Sequence, residues 1–159
     1  SWRARDVGSA TPIIDLARTN NDNAPDMLAG RVAVELAKHG GKPVKDARVL
    51  ILGVSYKRNI EDTRESPALA MLHRLEQMGA KVDYHDPYFP VMPVTRDHPD
   101  LAGRKSAELS EERVARYDAV VLTTDHSNVD YALVGRVARL ILDTRNVFDG
   151  SQAAPLVKI

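Results

Sequence analysis

Strand-like runs and helix-spaced apolar stretches alternate along residues 48–143. Four short runs, at residues 48–52, 81–85, 118–123 and 140–143, predict β-strands, and the first is apolar throughout after Arg48, as in a parallel strand covered on both faces. Helical patterns lie between them at residues 66–78, 109–116 and 129–137. This β-α-β-α-β-α-β order, with crossovers long enough for parallel pairing, predicts an α/β fold: a Rossmann-like parallel sheet with flanking helices.

An N-terminal helical arm precedes this sheet. Residues 12–17 predict a first helix, residues 20–23 predict a break, and Asn23 before Pro25 predicts the start of a second helix that ends at Gly40-Gly41. Alternatively, Pro25 kinks one long helix. We therefore divide the chain into an arm, residues 1–45, and a sheet domain, residues 46–159. The apolar stripe of the second helix must be buried against that domain or a second copy of the chain: Ala24, Met27, Leu28, Val32 and Leu36.

Three segments show no periodicity and predict irregular structure. Residues 1–10 are polar and are interpreted as a loop. Residues 87–105 contain four prolines and predict an excursion over the surface. The tail after Phe148 is interpreted as a loop.

Composition narrows the classes of function. Lys plus Arg (22) balance Asp plus Glu (22), so no net field indicates nucleic acid or an anionic membrane as partner. The absence of cysteine excludes a disulfide scaffold, thiolate metal sites and a cysteine nucleophile within these residues. The five histidines lack close metal-ligand spacing, which argues against a zinc site. With no membrane-length apolar run and no secretory signal, we expect a cytoplasmic protein, and the start without Met suggests a piece of a longer one.

The segments that follow the four strands define the candidate site, because the carboxyl ends of parallel strands lie at one edge of the sheet. These segments are residues 53–57, 85–87, 123–126 and 143–146. Lys57 offers an ammonium group beside backbone amides at 55–57 that could hold a pyrophosphate, and Arg145 offers a planar fork for phosphate or a sugar hydroxyl. These segments therefore predict a binding site for a phosphate-bearing ligand.

Each of these residues also has a simpler interpretation. The first turn lacks GxGxxG and retains only Gly53, so NAD binding to this sheet in the usual way is not expected. Lys57 resembles an ordinary solvated lysine, and Arg64 stands among acidic neighbours that favour a local ion-pair network. Asp86 is a candidate turn cap and His126 a neighbour of a helix cap. Residue chemistry alone indicates a phosphate-ligand-binding α/β domain.

Four motifs then occur in one order: LGVSYKRNIEDTRESPAL, GAKVDYHDPYFP, DAVVLTTDHSNVDY and ILDTRNVF. Over about residues 48–148 the chain resembles the carboxyl-terminal domain of the UDP-glucose/GDP-mannose dehydrogenase family. The arm is similar to the end of the central helical region that joins the family's two Rossmann-like domains. The YHDPYFP form and the WRAR start are most similar to the branch that oxidises UDP-N-acetyl-hexosamines.

The resemblance implies a two-step, NAD-dependent oxidation of the C6 alcohol of a UDP-sugar, in which a cysteine holds the covalent intermediates. This chain has neither that cysteine nor the glycine fingerprint, so the fragment alone is expected to be inactive, with NAD bound mainly by an N-terminal domain of the same protein. Tyr56 and Lys57 match the family's aromatic-lysine pair at the UDP diphosphate, and Arg145 matches an arginine that contacts the UDP-sugar. Arg64 matches an arginine that reaches toward NAD.

The family's central helix also implies a homodimer through the helical arm. Lys57→Ala is expected to weaken UDP binding and Lys38→Ala to leave it unchanged. Alternatives remain: UDP-glucose or GDP-mannose as substrate, or a non-catalytic nucleotide-sugar-binding or dimerisation module.

Overall fold

The computed structural model describes residues 11–159, so the loop predicted for residues 1–10 lies outside the described part. The first half contains α1 (Pro12–Gly40), β1 (Arg48–Leu52), α2 (Pro67–Gln77) and β2 (Lys81–His85). A 3-10 turn, Pro99–Leu101, precedes the second half, which contains α3 (Glu111–Val114), β3 (Ala119–Leu122), α4 (Tyr131–Val137), β4 (Ile141–Asp143) and β5 (Leu156–Lys158).

The strands form one parallel sheet in the order β2-β1-β3-β4-β5, which confirms the predicted α/β fold class. The chain proceeds from β1 to one edge and then returns to β3 on the other side of β1. Side chains of β1 alternate between two apolar cores. Val49 and Ile51 pack on the face covered by α1 and α2, whereas Leu50 and Leu52 pack on the face that holds α3 and α4. The point where the strand order reverses is therefore the boundary between β1 and β3.

The tail prediction was wrong, because residues 156–158 form the fifth strand instead of a loop. The Ile141 N–H donates to the Pro155 carbonyl at 2.8 Å, and the Ile159 N–H donates to the Asp143 carbonyl at 3.0 Å. A three-residue strand at an edge is too short to show a period, and only its pairing with β4 identifies it.

The arm is one helix, so the predicted break at residues 20–23 and the new start at Asn23 were wrong and the single-helix alternative is confirmed. Pro25 lies inside the helix and is buried. Ala29, Val32 and Leu36 are fully buried in the core that α2 shares, and this packing outweighs the poor helix propensity of the asparagines. Met27, expected in the buried stripe, is instead 72% exposed.

The remaining helices are shorter than predicted, and one predicted cap makes no hydrogen bond. α3 has a single turn instead of residues 109–116, and α4 begins at Tyr131 with Asp130 as its cap, the carboxylate accepting the Leu133 N–H at 2.8 Å. Ser66 occupies the N-cap of α2 as predicted, but its hydroxyl makes no capping hydrogen bond and is buried without a partner in the described part of the chain.

Residues 87–105 are more tightly fixed than a surface excursion. Phe89, Met92 and Leu101 are buried in the core on the α1–α2 face. The Tyr84 hydroxyl lies 3.0 Å from the carbonyl oxygens of both Phe89 and Arg104, so it joins the two ends of the segment. Burial, together with the Asp86 charge, raises the pKa of Tyr84 to about 12, which keeps this hydroxyl protonated as a donor.

Gly53, at the end of β1, permits the close contact between the β1 and β3 turns. Its φ is +84°, and a Cβ there would lie 2.3 Å from the Thr124 carbonyl oxygen.

Replacement of Gly53 by alanine tests this contact. Gly103 is a matched control, because its φ is +79° and a Cβ would meet nothing within 4 Å. We expect Gly103→Ala to lower the free energy of unfolding by about 1–2 kcal/mol, and Gly53→Ala to cost a further 1–3 kcal/mol or so for the overlap. Equal losses in urea unfolding would contradict this account.

Candidate functional site at the carboxyl edge of the sheet

The candidate site surrounds the boundary between β1 and β3, where open α/β sheets form a crevice for ligands. The segments after these two strands are hydrogen-bonded to each other. The Thr124 hydroxyl donates to the Ser55 carbonyl at 2.7 Å, and the Thr123 hydroxyl donates to the carbonyls of Leu52 and Gly53. The two turns therefore form one rigid unit.

A buried carboxylate, Asp86, organises this unit from the end of β2. It is 1% exposed, and its Oδ2 accepts the Val54 N–H at 2.7 Å, the Ser55 N–H at 3.0 Å and the Ser55 hydroxyl at 2.9 Å. Its Oδ1 accepts the Tyr88 N–H at 2.8 Å. A buried charge requires such compensation, and here the donors come from the turn after β1 and the turn after β2.

His126 completes the arrangement from the segment after β3. It is 0% exposed; its Nε2 lies 3.1 Å from Asp86 Oδ2, and its Nδ1 lies 2.9 Å from the Asn59 nitrogen. A backbone N–H can only donate, so Nδ1 is the acceptor and Nε2 bears the proton of a neutral imidazole. The ring of Tyr88 covers the imidazole at 4.9 Å between centroids. His126 thus connects the carboxylate to the loop beyond Lys57.

Two opposing effects set the pKa of Asp86. Burial by itself raises the pKa, but the hydrogen bonds from His126 and from the Tyr88 and Val54 N–H groups lower it more, to about 2. The carboxylate is therefore ionised at neutral pH. Compared with the ordinary value of 3.8, this difference corresponds to about 2 kcal/mol of stabilisation of the folded state.

The loop at 57–60 is fastened to the segment after β3 at a second point. The Asn59 side chain donates to the Ser127 hydroxyl at 2.8 Å and accepts the Ser127 N–H at 2.9 Å. Arg58 contacts the same hydroxyl at 3.0 Å and Asp125 at 3.5 Å. Asn59 adopts a φ of +58°, a conformation that asparagine tolerates well. Backbone and side chains thus hold the loop that presents Lys57.

Tyr56 and Lys57 are presented to solvent at the end of the first turn. Tyr56 is 44% exposed, and the Lys57 ammonium lies 5.4 Å from the centroid of its ring. Such a cation–π contact restrains the lysine without neutralising its charge. Within the described residues, Lys57 has no carboxylate partner. The ammonium is therefore available to an anion.

The predicted cradle of backbone amides at 55–57 is largely absent, which corrects that expectation. The Ser55 N–H is directed to Asp86, and the Tyr56 N–H donates to the Asp62 carbonyl at 2.7 Å. Both donors are committed inside the protein. The Ser55 and Tyr56 amides are therefore not available to a phosphate, and side-chain cations are the main groups left to contact it.

Arg145 lies in the turn after β4, the strand next to β3. Asp143 shapes this turn by accepting the Arg145 N–H at 2.8 Å and the Phe148 N–H at 2.9 Å. The Arg145 Nε donates to the Thr123 carbonyl at 2.5 Å. In the described part of the chain its two terminal nitrogens have no partner, so an oriented fork faces solvent beside the β1–β3 unit.

Arg64 is occupied by an ion pair within its own loop. Its Nε and a terminal nitrogen contact the two Asp62 oxygens at 3.0 and 2.8 Å, and its side chain remains 87% exposed. The hydrogen bonds from Arg64 lower the pKa of Asp62 to about 2, and they raise the pKa of Arg64. Of the expected ion-pair network, the described residues contain the pair of Arg64 with Asp62, and no other acid among them lies within ion-pair distance of Arg64.

Sequence reasoning treated Asp86 and His126 as a turn cap and a cap neighbour, and the structure makes them the centre of the site. Asp86 does act as a turn acceptor toward Tyr88, but four further contacts come from residues at least 31 positions away. The available signal was position: both residues directly follow or nearly follow a predicted strand. The contact between them needed the strand order.

A dinucleotide does not fit this turn in the usual way. A dinucleotide fingerprint uses glycines to bring the backbone close to a pyrophosphate, whereas Gly53 brings the backbone close to Thr124. Among residues 11–159, no group of three or more His, Asp or Glu side chains is arranged to hold a metal ion. In the same residues no helix combines the length and apolar character needed to cross a bilayer.

Comparison with known families identifies one domain type. The model of the "UDP-glucose/GDP-mannose dehydrogenase family, UDP binding domain" matches residues 50–152. A UDP-N-acetyl-D-mannosamine dehydrogenase of Methanococcus maripaludis is 30% identical over 94% of this chain and 34% of its own length. An NDP-N-acetyl-D-galactosaminuronic acid dehydrogenase of Ralstonia solanacearum is 29% identical over 89% of this chain and 31% of its own. The chain thus spans about a third of these relatives.

Solved structures agree on the fold. The structure of a UDP-D-ManNAc dehydrogenase from Pyrococcus horikoshii covers 98% of this chain with a TM-score of 0.75 at 24% identity, and the chain covers 35% of it. A GDP-mannose dehydrogenase from Pseudomonas aeruginosa covers 99% of this chain with a TM-score of 0.68 at 19% identity. At these identities the likeness establishes the architecture alone.

Replacing the buried carboxylate tests the organisation of the site. Asp86→Asn would direct amide hydrogens at groups that are already donors, so we expect a loss of about 3 kcal/mol in the free energy of unfolding at neutral pH. Because the folded-state pKa of about 2 lies below 3.8, the contribution is complete above about pH 4 and disappears as the pH falls toward 2. The difference from wild type should shrink over that interval. The exposed Asp97→Asn is the control, and a pH-independent difference for Asp86→Asn would contradict the interpretation.

Proposed function

Because the chain belongs to the UDP-glucose/GDP-mannose dehydrogenase family and contains the family's UDP binding domain, we propose that it is the UDP-binding carboxyl-terminal part of an NAD-dependent nucleotide-sugar 6-dehydrogenase. Residues 46–159 are the UDP-binding domain, and residues 1–45 are the end of the central helical linker. The substrate is a UDP-N-acetyl-hexosamine, oxidised at C6 from alcohol to carboxylate in a pathway of polysaccharide synthesis. The proposed location of the enzyme is the cytoplasm.

The observation that most supports UDP binding is the Lys57 ammonium at the boundary of β1 and β3, which has no carboxylate partner among the described residues. The aromatic ring of Tyr56 restrains it, and the Asp86–His126 unit fixes the backbone on both sides of it. A diphosphate carries concentrated negative charge and favours such a pre-oriented cation. Lys57 neutralises the diphosphate, and the free nitrogens of Arg145 contact the UDP-sugar. Tyr56 contributes the apolar face beside them.

Support for an N-acetylated sugar comes from the relatives. Of the matches described above, both the Methanococcus and the Ralstonia proteins are named for N-acetylated sugars. A UDP-glucose 6-dehydrogenase of Rhizobium meliloti is 25% identical, over 95% of this chain. UDP-glucose and GDP-mannose therefore remain the substrates to test against.

In this proposal NAD is bound mainly by an N-terminal domain of the same protein. The turn after β1 does not fit a dinucleotide, and the 159 residues contain no cysteine. Hydride acceptor site and nucleophile must therefore come from outside this chain, and the fragment alone is inactive. Arg64 is proposed to extend toward NAD, which requires exchange of its exposed ion pair with Asp62, a contact that costs little to break in water.

The proposed homodimer uses the outer face of α1. Val32 and Leu36, expected at such an interface, are instead buried in the chain's own core. Apolar side chains remain exposed on the same helix, at Ile13, Ile14, Leu16, Met27 and Val34. A partner helix or the N-terminal domain would remove this apolar surface from water.

Removal of the Lys57 ammonium tests the UDP site. We expect Lys57→Ala to weaken UDP binding by about tenfold or more, because a charge-assisted contact to the diphosphate is lost. Lys45→Ala is the matched control, since Lys45 is exposed and precedes β1, at the opposite edge of the sheet. Lys38 is less suitable because its ammonium lies 3.3 Å from the buried Glu35 carboxylate. Equal affinities of wild type and Lys57→Ala in calorimetric titration with UDP would remove Lys57 from the site.

A substrate panel tests the activity. The full-length protein is incubated with NAD and, in turn, UDP-N-acetylglucosamine, UDP-N-acetylmannosamine, UDP-glucose and GDP-mannose, while NADH is followed by absorbance. We expect the highest kcat/KM with one of the two N-acetylated sugars. Oxidation of an alcohol to a carboxylate removes four electrons, so two NADH should form per sugar consumed. Preference for UDP-glucose or GDP-mannose would contradict the substrate, and UDP binding without NADH would indicate a non-catalytic module.

A further inference from the structure

Two cavities meet beside the edge strand β2, on a part of the domain that the proposed UDP site does not use. One has a volume of about 520 Å³ and the other of about 240 Å³, and both are lined by Asp83 and Lys105. The smaller cavity extends from Asp83 to the start of β1 and to the segment around α3.

The fold explains why this space is open. On the α3 side of the sheet, β2 presents Lys81, Asp83 and His85, which alternate with the buried Val82 and Tyr84 of the other face. In the crossover from β2 to β3, the α-helix is the single turn of α3 and the other helical segment is the 3-10 turn Pro99–Leu101, so no long helix covers these side chains. The space is bordered by charged groups in place of apolar ones.

Positive charge predominates in the smaller cavity. Asp83 is the one acid among its eight lining residues. Four of the eight are cations: Arg48, Lys105, Arg113 and Arg116. The Arg48 guanidinium lies 5.5 Å from the centroid of the Tyr117 ring, and the Tyr117 hydroxyl donates to Asp83 at 2.8 Å. These contacts orient an arginine and satisfy one oxygen of the acid.

The cations retain capacity for a ligand. Arg113 pairs with Glu108 at 3.7 Å and Arg116 with Glu112, but the side chains of both pairs are more than half exposed, so the pairs are weak. Within residues 11–159, the side chains of Arg48 and Lys105 have no carboxylate partner, since only the backbone N–H of Arg48 contacts Asp118. Burial raises the pKa of Tyr117, as does the hydrogen bond to Asp83, while the charges of Arg48 and Arg113 lower it.

We propose that this cavity binds a compact phosphoryl anion, such as phosphate or pyrophosphate, at a site distinct from the proposed UDP site. Four cations around one acid, two of them with only exposed and weak ion pairs, repel each other, and an anion with several acceptor oxygens relieves that repulsion. Arginine forks and a lysine ammonium are the groups that proteins use for such anions. The cavity volume accommodates either anion, and the Tyr117 ring forms one wall.

Calorimetric titration of the full-length protein with pyrophosphate, at saturating UDP, separates this site from the proposed UDP site. We expect one pyrophosphate to bind under these conditions. Lys105→Ala should weaken it by roughly tenfold or more, because a charge-assisted contact is lost, whereas Lys105→Arg should retain binding. Arg96→Ala, an exposed cation elsewhere in the chain, is the control and should leave affinity unchanged.

One variant predicts a change of the opposite sign, which misfolding cannot imitate. Asp83→Asn removes the acid of the cavity and retains an oxygen to accept the Tyr117 hydroxyl, so pyrophosphate should bind more tightly. The proposal is contradicted if pyrophosphate binds only in competition with UDP, or if Lys105→Ala and Arg96→Ala have the same affinity for pyrophosphate. It is also contradicted if Asp83→Asn binds pyrophosphate no more tightly than wild type. Binding in Lys57→Ala provides a check that does not depend on UDP, because that variant should retain pyrophosphate in the cavity.

Discussion

The buried Asp86 carboxylate is the constraint on which the candidate site depends. It accepts hydrogen bonds from the turn after β1, from its own turn after β2 and from His126 after β3, so three segments share one charge. An ionised group inside a protein is tolerated only when it is fully hydrogen-bonded, and these donors come from the segments that must be rigid. The same carboxylate removes the Ser55 amide from any ligand. The turns at this edge are thus held in place by backbone N–H groups that donate to a buried carboxylate instead of to a ligand.

That commitment shifts recognition to side chains. Within residues 11–159, the Lys57 ammonium and the terminal nitrogens of Arg145 have no carboxylate partner. The Tyr56 ring restrains Lys57, and the Thr123 carbonyl restrains Arg145. Restrained cations lose less side-chain freedom on binding than mobile ones, which favours affinity for a diphosphate. Arg64 differs, because Asp62 already holds its guanidinium. The three cations predicted from the sequence therefore lie in three electrostatic settings.

A common feature of the domain explains both the proposed UDP site and the phosphoryl cavity. The strand order opens a crevice between β1 and β3 at the carboxyl edge, and the crossover after β2, whose α-helix is a single turn, leaves part of one sheet face uncovered. The restrained Lys57 lies at the crevice, and a group of arginines around Tyr117 lines the uncovered part of the sheet face. The chain has a formal net charge of zero, so its positive potential is confined to these local groups of cations.

The sequence by itself determined the α/β class, the parallel strands with a visible period and the presence of Tyr56, Lys57 and Arg145 after strands, because these follow from local patterns. It failed for β5, which exists only by pairing with β4, and for α1, where burial of Val32 and Leu36 overrides a poor local propensity. Only the tertiary structure joined Asp86 to His126, 40 residues apart. Pairing across a sheet depends on strand order, and strand order is a property of the whole fold.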